Sequence, residues 1–168
     1  MLQTISIRIY LNMPYVLLTF LLLGLMGCSA SQVSSSNSVD ITLRGRQFQL
    51  ELALTQAARF KGLSDRASIP ENTGMLFVFP QADYRGFVMR RCLVPIDLIY
   101  LDPNGRIIGM YAMTVEPAGT PEAKLKVYAS RYPAQFAIEL AGGEIKKLGL
   151  EEGEKVDLPL KELKERAR

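Results

Sequence analysis

The clearest pattern in the chain is an alternation of apolar and polar residues. In QFQLELAL, residues 47–54, every second residue is a large apolar one, which predicts a strand with one buried face. The pair Arg44-Gly45 favours a tight turn just before this segment. We therefore expect residues 39–43 and 47–54 to form an antiparallel hairpin.

Further apolar segments predict more strands. The run GMLFVF, residues 74–79, is continuously apolar, as is typical of a strand buried on both faces. PIDLIYLD and RIIGMYAMTV flank the turn DPNG, residues 102–105, and so predict a second hairpin. The sequence predicts additional strands in FVMRR, QFAIEL and EKVDLPL, residues 87–91, 135–140 and 154–160.

Helical signals are short by comparison. Thr55 can cap a helix over QAARFK, residues 56–61, and Gly62 can end it. GGEIKKLGL, residues 142–150, suits a short helix or a turn. Residues 115–126 hold two prolines and a glycine, which predicts an exposed loop.

Short strands separated by frequent turn signals decide the fold class. We predict a mainly-β fold, a single compact β-sandwich or barrel-like domain with one or two short helices, over residues 40–160. Residues 161–168, KELKERAR, are then a charged tail that is either helical or frayed.

The N-terminal residues do not resemble a folded domain. The apolar run over 13–26 is shorter than the ~20 residues of a spanning helix, and residues 1–27 are typical of a signal peptide. Cys28 directly after Gly27 resembles a bacterial lipobox, which implies cleavage before Cys28 and a lipid on it. We expect an exported protein, anchored to a bacterial membrane on the periplasmic or cell-surface side, with a serine-rich tether over 28–39. The alternative is an uncleaved anchor with a chance cysteine.

Composition excludes several classes of site. The 168 residues include no histidine and only two cysteines, so Ser-His-Asp and Cys-His catalysis and a structural zinc site are excluded. With Cys28 lipidated, Cys92 is the remaining thiol and no internal disulfide forms. Lys plus Arg exceed Asp plus Glu by 20 − 17 = 3. This net positive charge is too small to indicate binding to nucleic acid. We expect no metal and no cofactor.

Four blocks, GLSDR, GMLFVF, FVMRRCLVPID and DPNGRII, resemble the bacterial and archaeal family called domain of unknown function 192. The family pattern is Gly-Leu-Met-x-Arg, Gly-Met-Leu-Phe-x-Phe, Trp-Met-Lys-Asn-Thr and Pro-Leu-Asp. Matching positions are Gly62, Leu63, Arg66, Gly74, Met75, Leu76, Phe77, Phe79, Met89, Arg90, Pro95 and Asp97. The departures are Ser64, Val88, Arg91 and Cys92. The resemblance covers Ile41 to about Leu158 and implies a compact, mostly-β, often exported domain, with no established reaction.

Asp97 is the most conspicuous candidate residue, because it shares a predicted strand face with Ile99 and Leu101. A carboxylate there needs donors, and we expect Arg66 or Arg90 to pair with it in a clasp that fixes the strand register.

The same part of the chain supplies a candidate ligand site. We predict that Arg66, Met89, Arg90 and Asp97 contribute to it, because guanidinium groups recognise carboxylates and phosphates. The predicted function is a non-catalytic binding or accessory module for a small polar or anionic ligand or an envelope component. No catalytic residue is assigned.

Two alternatives remain open. A metal-independent enzyme would use Asp97 as a base or Cys92 as a nucleophile, although a lone cysteine after a strand is more often a small buried apolar residue. A structural module would bind another envelope protein through its edge strands or residues 115–126. We expect Glu139 on the exposed face of its strand, opposite the apolar set of QFAIEL.

Overall fold

A computed structural model of the protein describes residues 37–168. The predicted signal peptide over 1–27, the lipidation at Cys28 and most of the tether predicted over 28–39 lie outside these residues. In the described part of the chain, no helix is both long enough and apolar enough to cross a membrane.

Residues 37–168 form one mixed sheet, one small sheet and short helices. In chain order the elements are β1 Ser38–Leu43, β2 Arg46–Ala53, α1 Gln56–Lys61, β3 Thr73–Asp83, β4 Gly86–Phe87, β5 Ile96–Leu101, β6 Ile107–Met113, β7 Tyr128–Ala129, β8 Ala134–Ala141, α2 Glu144–Leu148 and α3 Leu160–Arg166, with a 3-10 turn over Glu122–Lys124. The six-stranded sheet has the order β1-β2-β3-β8-β5-β6, and β4 pairs with β7. The mainly-β prediction is confirmed, and the large sheet is not closed into a barrel.

Local sequence signals account for the first elements. Arg44 and Gly45 both have positive φ, 47° and 80°, the left-handed pair that a two-residue hairpin turn needs. In α1, the Thr55 side chain accepts a hydrogen bond from the Ala58 N–H, and Gly62 ends the helix at φ 50°. After α1 the chain returns as β3, which pairs with β2 in parallel.

Both faces of the large sheet are covered, and this explains its continuous apolar strands. On one face, residues of α3 and of the segment that precedes it, such as Leu163 and Val156, pack on Ile138 and Leu140. On the other face, the connections around the small sheet pack on apolar residues such as Phe77. Each fully buried large side chain contributes about 1.5–3 kcal/mol to stability.

Two predicted strands are wrong or much shorter than expected. Residues 154–160 form no strand. Their β-type backbone pairing is limited to one isolated antiparallel bridge between Lys155 and Arg106. In FVMRR only Phe87 is in a strand, because the chain turns at Arg90 and Arg91 and Arg91 has φ 48°. The charged C-terminal segment is helical, as α3.

Candidate functional site

Asp97 lies on the sheet face that we expected, but its partner is different. It is only 1% exposed, and its Oδ2 accepts a hydrogen bond from the Ile145 backbone N–H at 2.7 Å. The acid therefore caps the start of α2, where free N–H groups favour a negative charge. The predicted Arg–Asp clasp is wrong: one N–H of α2 bonds Oδ2 of Asp97, and Oδ1 is buried without a partner in the described residues.

The arginines that we expected to hold Asp97 pair with other acids. Arg66 forms a two-bond ion pair with Glu51 at 2.6 and 2.8 Å, and Arg90 pairs with Glu122. Both arginines lie on the opposite side of the sheet from Asp97. Glu51, the partner of Arg66, alternates along β2 with residues that face α2 and α3, so it faces the other way. Arg90 lines the same cleft as Glu139, which is also on that other side. Asp97 and the two arginines that we expected to bind it therefore lie on opposite faces of the six-stranded sheet.

Glu139 in β8 is the acid that sequence analysis misplaced. We expected it to be exposed, yet it is only 5% exposed. The apolar residues of β8 do face the other way, but the face that Glu139 occupies is covered as well, by the residues around the small sheet. That prediction was therefore wrong because it assumed that one face of the sheet meets water.

Glu139 contributes to a cleft of about 460 Å³ on the small-sheet side of the domain. The end of α1 with Gly62–Ser64 forms one wall, and Arg85–Val88 with β4 forms another. Phenyl rings supply much of the apolar surface, namely those of Phe60, Phe77, Phe79 and Phe87. The volume of this cleft, which is lined by aromatic rings and several polar or charged side chains, lies in the range of small-molecule sites.

The carboxyl of Glu139 is incompletely satisfied. Its Oε2 is buried and has no hydrogen-bond partner within residues 37–168. Burial raises the pKa of Glu139 to about 8, against the opposing effects of the Leu63 backbone N–H and the Arg66 charge. The side chain is therefore mostly uncharged at neutral pH, and the residue that carries the unpartnered oxygen lines the cleft.

Gly62 keeps the space beside this carboxyl open. A Cβ at Gly62 would lie 3.5 Å from Glu139 Oε2 and 3.4 Å from the Phe77 ring. The positive φ of Gly62 also disfavours any other residue there.

Cys92 lines the same cleft as an unreactive thiol. It is 8% exposed, and its Sγ donates a weak hydrogen bond to the Arg90 carbonyl at 3.5 Å. Burial first, and the nearby charge of Glu139 second, raise the pKa of the Cys92 thiol to about 11. A thiol with so high a pKa carries little nucleophilic thiolate at neutral pH.

The basic side chains of the cleft fall into two kinds. Arg90 is neutralised by Glu122 and lies over the Phe60 ring at 4.0 Å. Arg59 and Arg85 instead donate to main-chain carbonyls and lie over the Phe79 ring. Within residues 37–168, no cluster of three His, Cys, Asp or Glu side chains is placed to hold a metal ion.

Comparison with known proteins assigns the family. The family model DUF192, described as uncharacterized ACR, matches residues 39–158. The chain belongs to the DUF192 family. Among curated proteins, none matches it.

Two crystal structures resemble this DUF192 domain. A putative transcription regulator from Sinorhizobium meliloti 1021 is 22% identical, with a TM-score of 0.62, and the match covers 71% of this chain and 91% of that one. A protein of unknown function from Novosphingobium aromaticivorans DSM 12444 is 27% identical, with a TM-score of 0.63, and the match covers 76% of this chain and 89% of that one. The likeness to the first shows the fold alone.

The structure does not bring together the four predicted ligand-binding residues of this DUF192 domain. Arg90 lines the cleft, whereas Met89 is buried in the core beside it. Arg66 is held by Glu51 on β2, outside the cleft lining, and Asp97 lies on the other face of the sheet.

The cleft nevertheless includes several departures from the family pattern. Ser64, Val88 and Cys92 all line it. A signal for the missed Glu139 was present, because the continuous apolar run of β3 already indicated a sheet covered on both faces.

Proposed function

We propose that this DUF192 protein is a non-catalytic binding module that holds a small polar or anionic ligand in the Glu139 cleft. In this proposal the lipid on Cys28 anchors the module to a bacterial membrane, on the periplasmic or cell-surface side. The observation that carries the proposal is the buried Oε2 of Glu139, which has no hydrogen-bond partner within residues 37–168 and belongs to a residue that lines the cleft.

The energetic cost of that oxygen supports a ligand. A buried polar group without a hydrogen-bond partner costs about 1–3 kcal/mol, and groups of this kind concentrate at functional sites. The neighbouring polar groups have protein partners: the Ser64 hydroxyl donates to the Arg90 carbonyl at 2.7 Å. A ligand that bonds to Glu139 would recover the cost.

The same geometry favours binding over the enzymatic alternative. Asp97 caps α2 on the far face of the sheet, and the pKa of Cys92 is raised to about 11. Asp97 therefore does not face the cleft as a base would need to, and Cys92 holds little nucleophilic thiolate at neutral pH.

A fragment screen by thermal unfolding of the full chain tests the proposal. A fragment at ten times its Kd adds about 1.4 kcal/mol, which raises the Tm of a domain of this size by roughly 4 °C. Val88→Trp places an indole on the cleft wall and should abolish the shift. Val127→Trp is the matched control, because Val127 is 60% exposed and outside the cleft lining.

The proposal fails if no small polar fragment shifts the Tm, or if both tryptophan variants retain the shift equally. The anchor is tested separately by fractionating cells that express Cys28→Ser. The variant should leave the membrane fraction, and unchanged fractionation would contradict the lipid anchor.

A further inference from the structure

Two guanidinium groups share one aromatic ring at the edge of the cleft. The Cζ of Arg85 lies 4.1 Å from the centroid of the Phe79 ring, and the Cζ of Arg59 lies 5.3 Å from the same centroid. All three residues are half-buried and line the cleft. The ring face attracts each cation, and it therefore brings two like charges close together.

Neither guanidinium is neutralised by an acidic side chain in residues 37–168. Arg85 donates to the Gln81 carbonyl at 2.6 Å and to the Ala134 carbonyl at 3.5 Å. Arg59 donates to the main-chain oxygens of Leu54, Val78 and Arg168, each at 2.8 Å. Arg85 is thus held by neutral carbonyls alone, whereas one partner of Arg59 is an oxygen of Arg168, the last residue of the sequence.

The mutual repulsion of the pair is visible in the electrostatics. Burial first, and the positive charge of Arg85 second, hold the pKa of Arg59 below its ordinary value. Arg90, on the same cleft, behaves oppositely: its bond to Glu122 raises its pKa. Within residues 37–168, the Arg59–Arg85 pair therefore has no acidic side-chain partner, and the charge of Arg85 has no anionic partner.

Hydrogen-bond capacity remains for a ligand. A guanidinium has five N–H donors. Arg85 uses two of them and Arg59 uses three, which leaves 5 − 2 = 3 on Arg85 and 5 − 3 = 2 on Arg59. Fixed, positively charged donors match the oxygens of a carboxylate or phosphate.

We infer that the ligand of the cleft is a small organic anion whose acid group binds the Arg59–Arg85 pair and whose apolar body packs on the phenyl walls. This inference rests on the proposed function and narrows its ligand class. The anion supplies the negative charge that Arg85 lacks, and the uncharged carboxyl of Glu139 adds no repulsion. A cationic ligand would be repelled by the charge of Arg85, which no acidic side chain in residues 37–168 balances.

Three probes on one phenyl scaffold test the inference: benzoate, benzamide and benzylamine, which are anionic, neutral and cationic at pH 7. Each is titrated into the isotope-labelled full chain at pH 7 and followed by NMR at the amides of residues 85–88. We expect benzoate to bind about tenfold more tightly than benzamide, as a charge-assisted hydrogen bond implies, and benzylamine to bind least.

Variants of Arg85 assign the preference to the pair. Arg85→Gln removes the charge and should reduce the benzoate-to-benzamide ratio about tenfold, whereas Arg85→Lys keeps the charge and should retain most of it. Arg131→Gln is the matched control, because Arg131 pairs with Glu152 outside the cleft lining. The amide spectra of all three variants report whether each is folded.

The outcomes separate this inference from the proposed function. If benzamide or benzylamine binds the cleft as tightly as benzoate, or if Arg85→Gln leaves the ratio unchanged, the anion inference is overturned and the cleft still binds ligands. If none of the three probes binds while neutral fragments do, the inference again fails alone. Both fail if neither the probes nor the fragment screen gives a cleft binder.

Discussion

Replacing Glu139 by Gln should change the pH dependence of stability in a defined way. In the folded protein the pKa of Glu139 is raised to about 8 from an ordinary value of 4.5. Between these two values the native state holds a proton that the unfolded state has released. Stability therefore falls with rising pH in this interval, and it levels off above pH 8.

The size of the effect follows from the two pKa values. Each pH unit inside the interval costs the wild type about 1.4 kcal/mol, so between pH 5 and pH 8 it loses roughly 3.5 kcal/mol from this group. Glu139→Gln cannot ionise and lacks that loss. The other groups near Glu139 change the stability little between pH 5 and pH 8, because they do not titrate there. The pKa of Cys92 is raised to about 11, and the pKa of Arg66 is raised above its already high ordinary value.

Urea unfolding of both proteins at pH 5, 6, 7, 8 and 9 measures the difference. Glu139→Gln should gain stability relative to wild type steadily up to pH 8 and then hold a constant difference. Because the amide changes local hydrogen bonding, the slope with pH carries the information rather than the offset. Glu71→Gln is the control, since Glu71 is exposed. Parallel profiles for wild type and Glu139→Gln would refute the account of a buried, uncharged Glu139.

Three further predictions follow from the geometry. Asp97→Ala should destabilise the fold by about 1–2 kcal/mol through loss of the α2 cap. In a double-mutant cycle with Arg66→Ala, the two losses in unfolding free energy should add. A coupling above about 0.5 kcal/mol would indicate that the two side chains interact. Gly74→Ala should prevent folding, because the added Cβ would lie 2.3 Å from a β8 carbonyl oxygen. Gly109→Ala is the control and should fold, because its Cβ would have no atom within 4 Å. Circular dichroism distinguishes the two outcomes. Cys92 should react with iodoacetamide far more slowly in the folded than in the urea-unfolded protein, as measured by mass spectrometry of its peptide; equal rates would contradict its burial.

Features set by neighbouring residues could be predicted from the sequence. The Arg44-Gly45 hairpin and the capped helix α1 depend on turn and capping chemistry within a few residues, and both are where they were expected. The Asp102 turn is similar: its Oδ1 accepts from the Asn104 and Arg106 N–H groups at 2.7 and 2.8 Å.

Features that depend on which element covers which face could not be predicted. Periodicity placed Asp97 on the correct face of β5 but could not show that α2, starting more than forty residues later, covers that face. Glu139 failed for the same reason, because alternation in β8 cannot tell a solvated face from one covered by the small sheet. The surroundings of Asp97 and Glu139 therefore depend on contacts between residues that are far apart in the sequence.

The cleft itself brings together distant parts of the chain. Arg59, Arg85 and Glu139 come from α1, the turn before β4, and β8, so no local motif links them. The resemblance to the family supplied the fold and the sequence blocks near the cleft, but it did not indicate the buried acid or the paired guanidinium groups.

The most direct test of the account is the titration of the Glu139 side chain by carbon-13 NMR of its carboxyl, with and without benzoate. The account predicts a midpoint near pH 8 in the free protein, and a resonance that moves when benzoate occupies the cleft. A midpoint near the ordinary value of 4.5, together with a resonance that benzoate leaves unmoved, would contradict it.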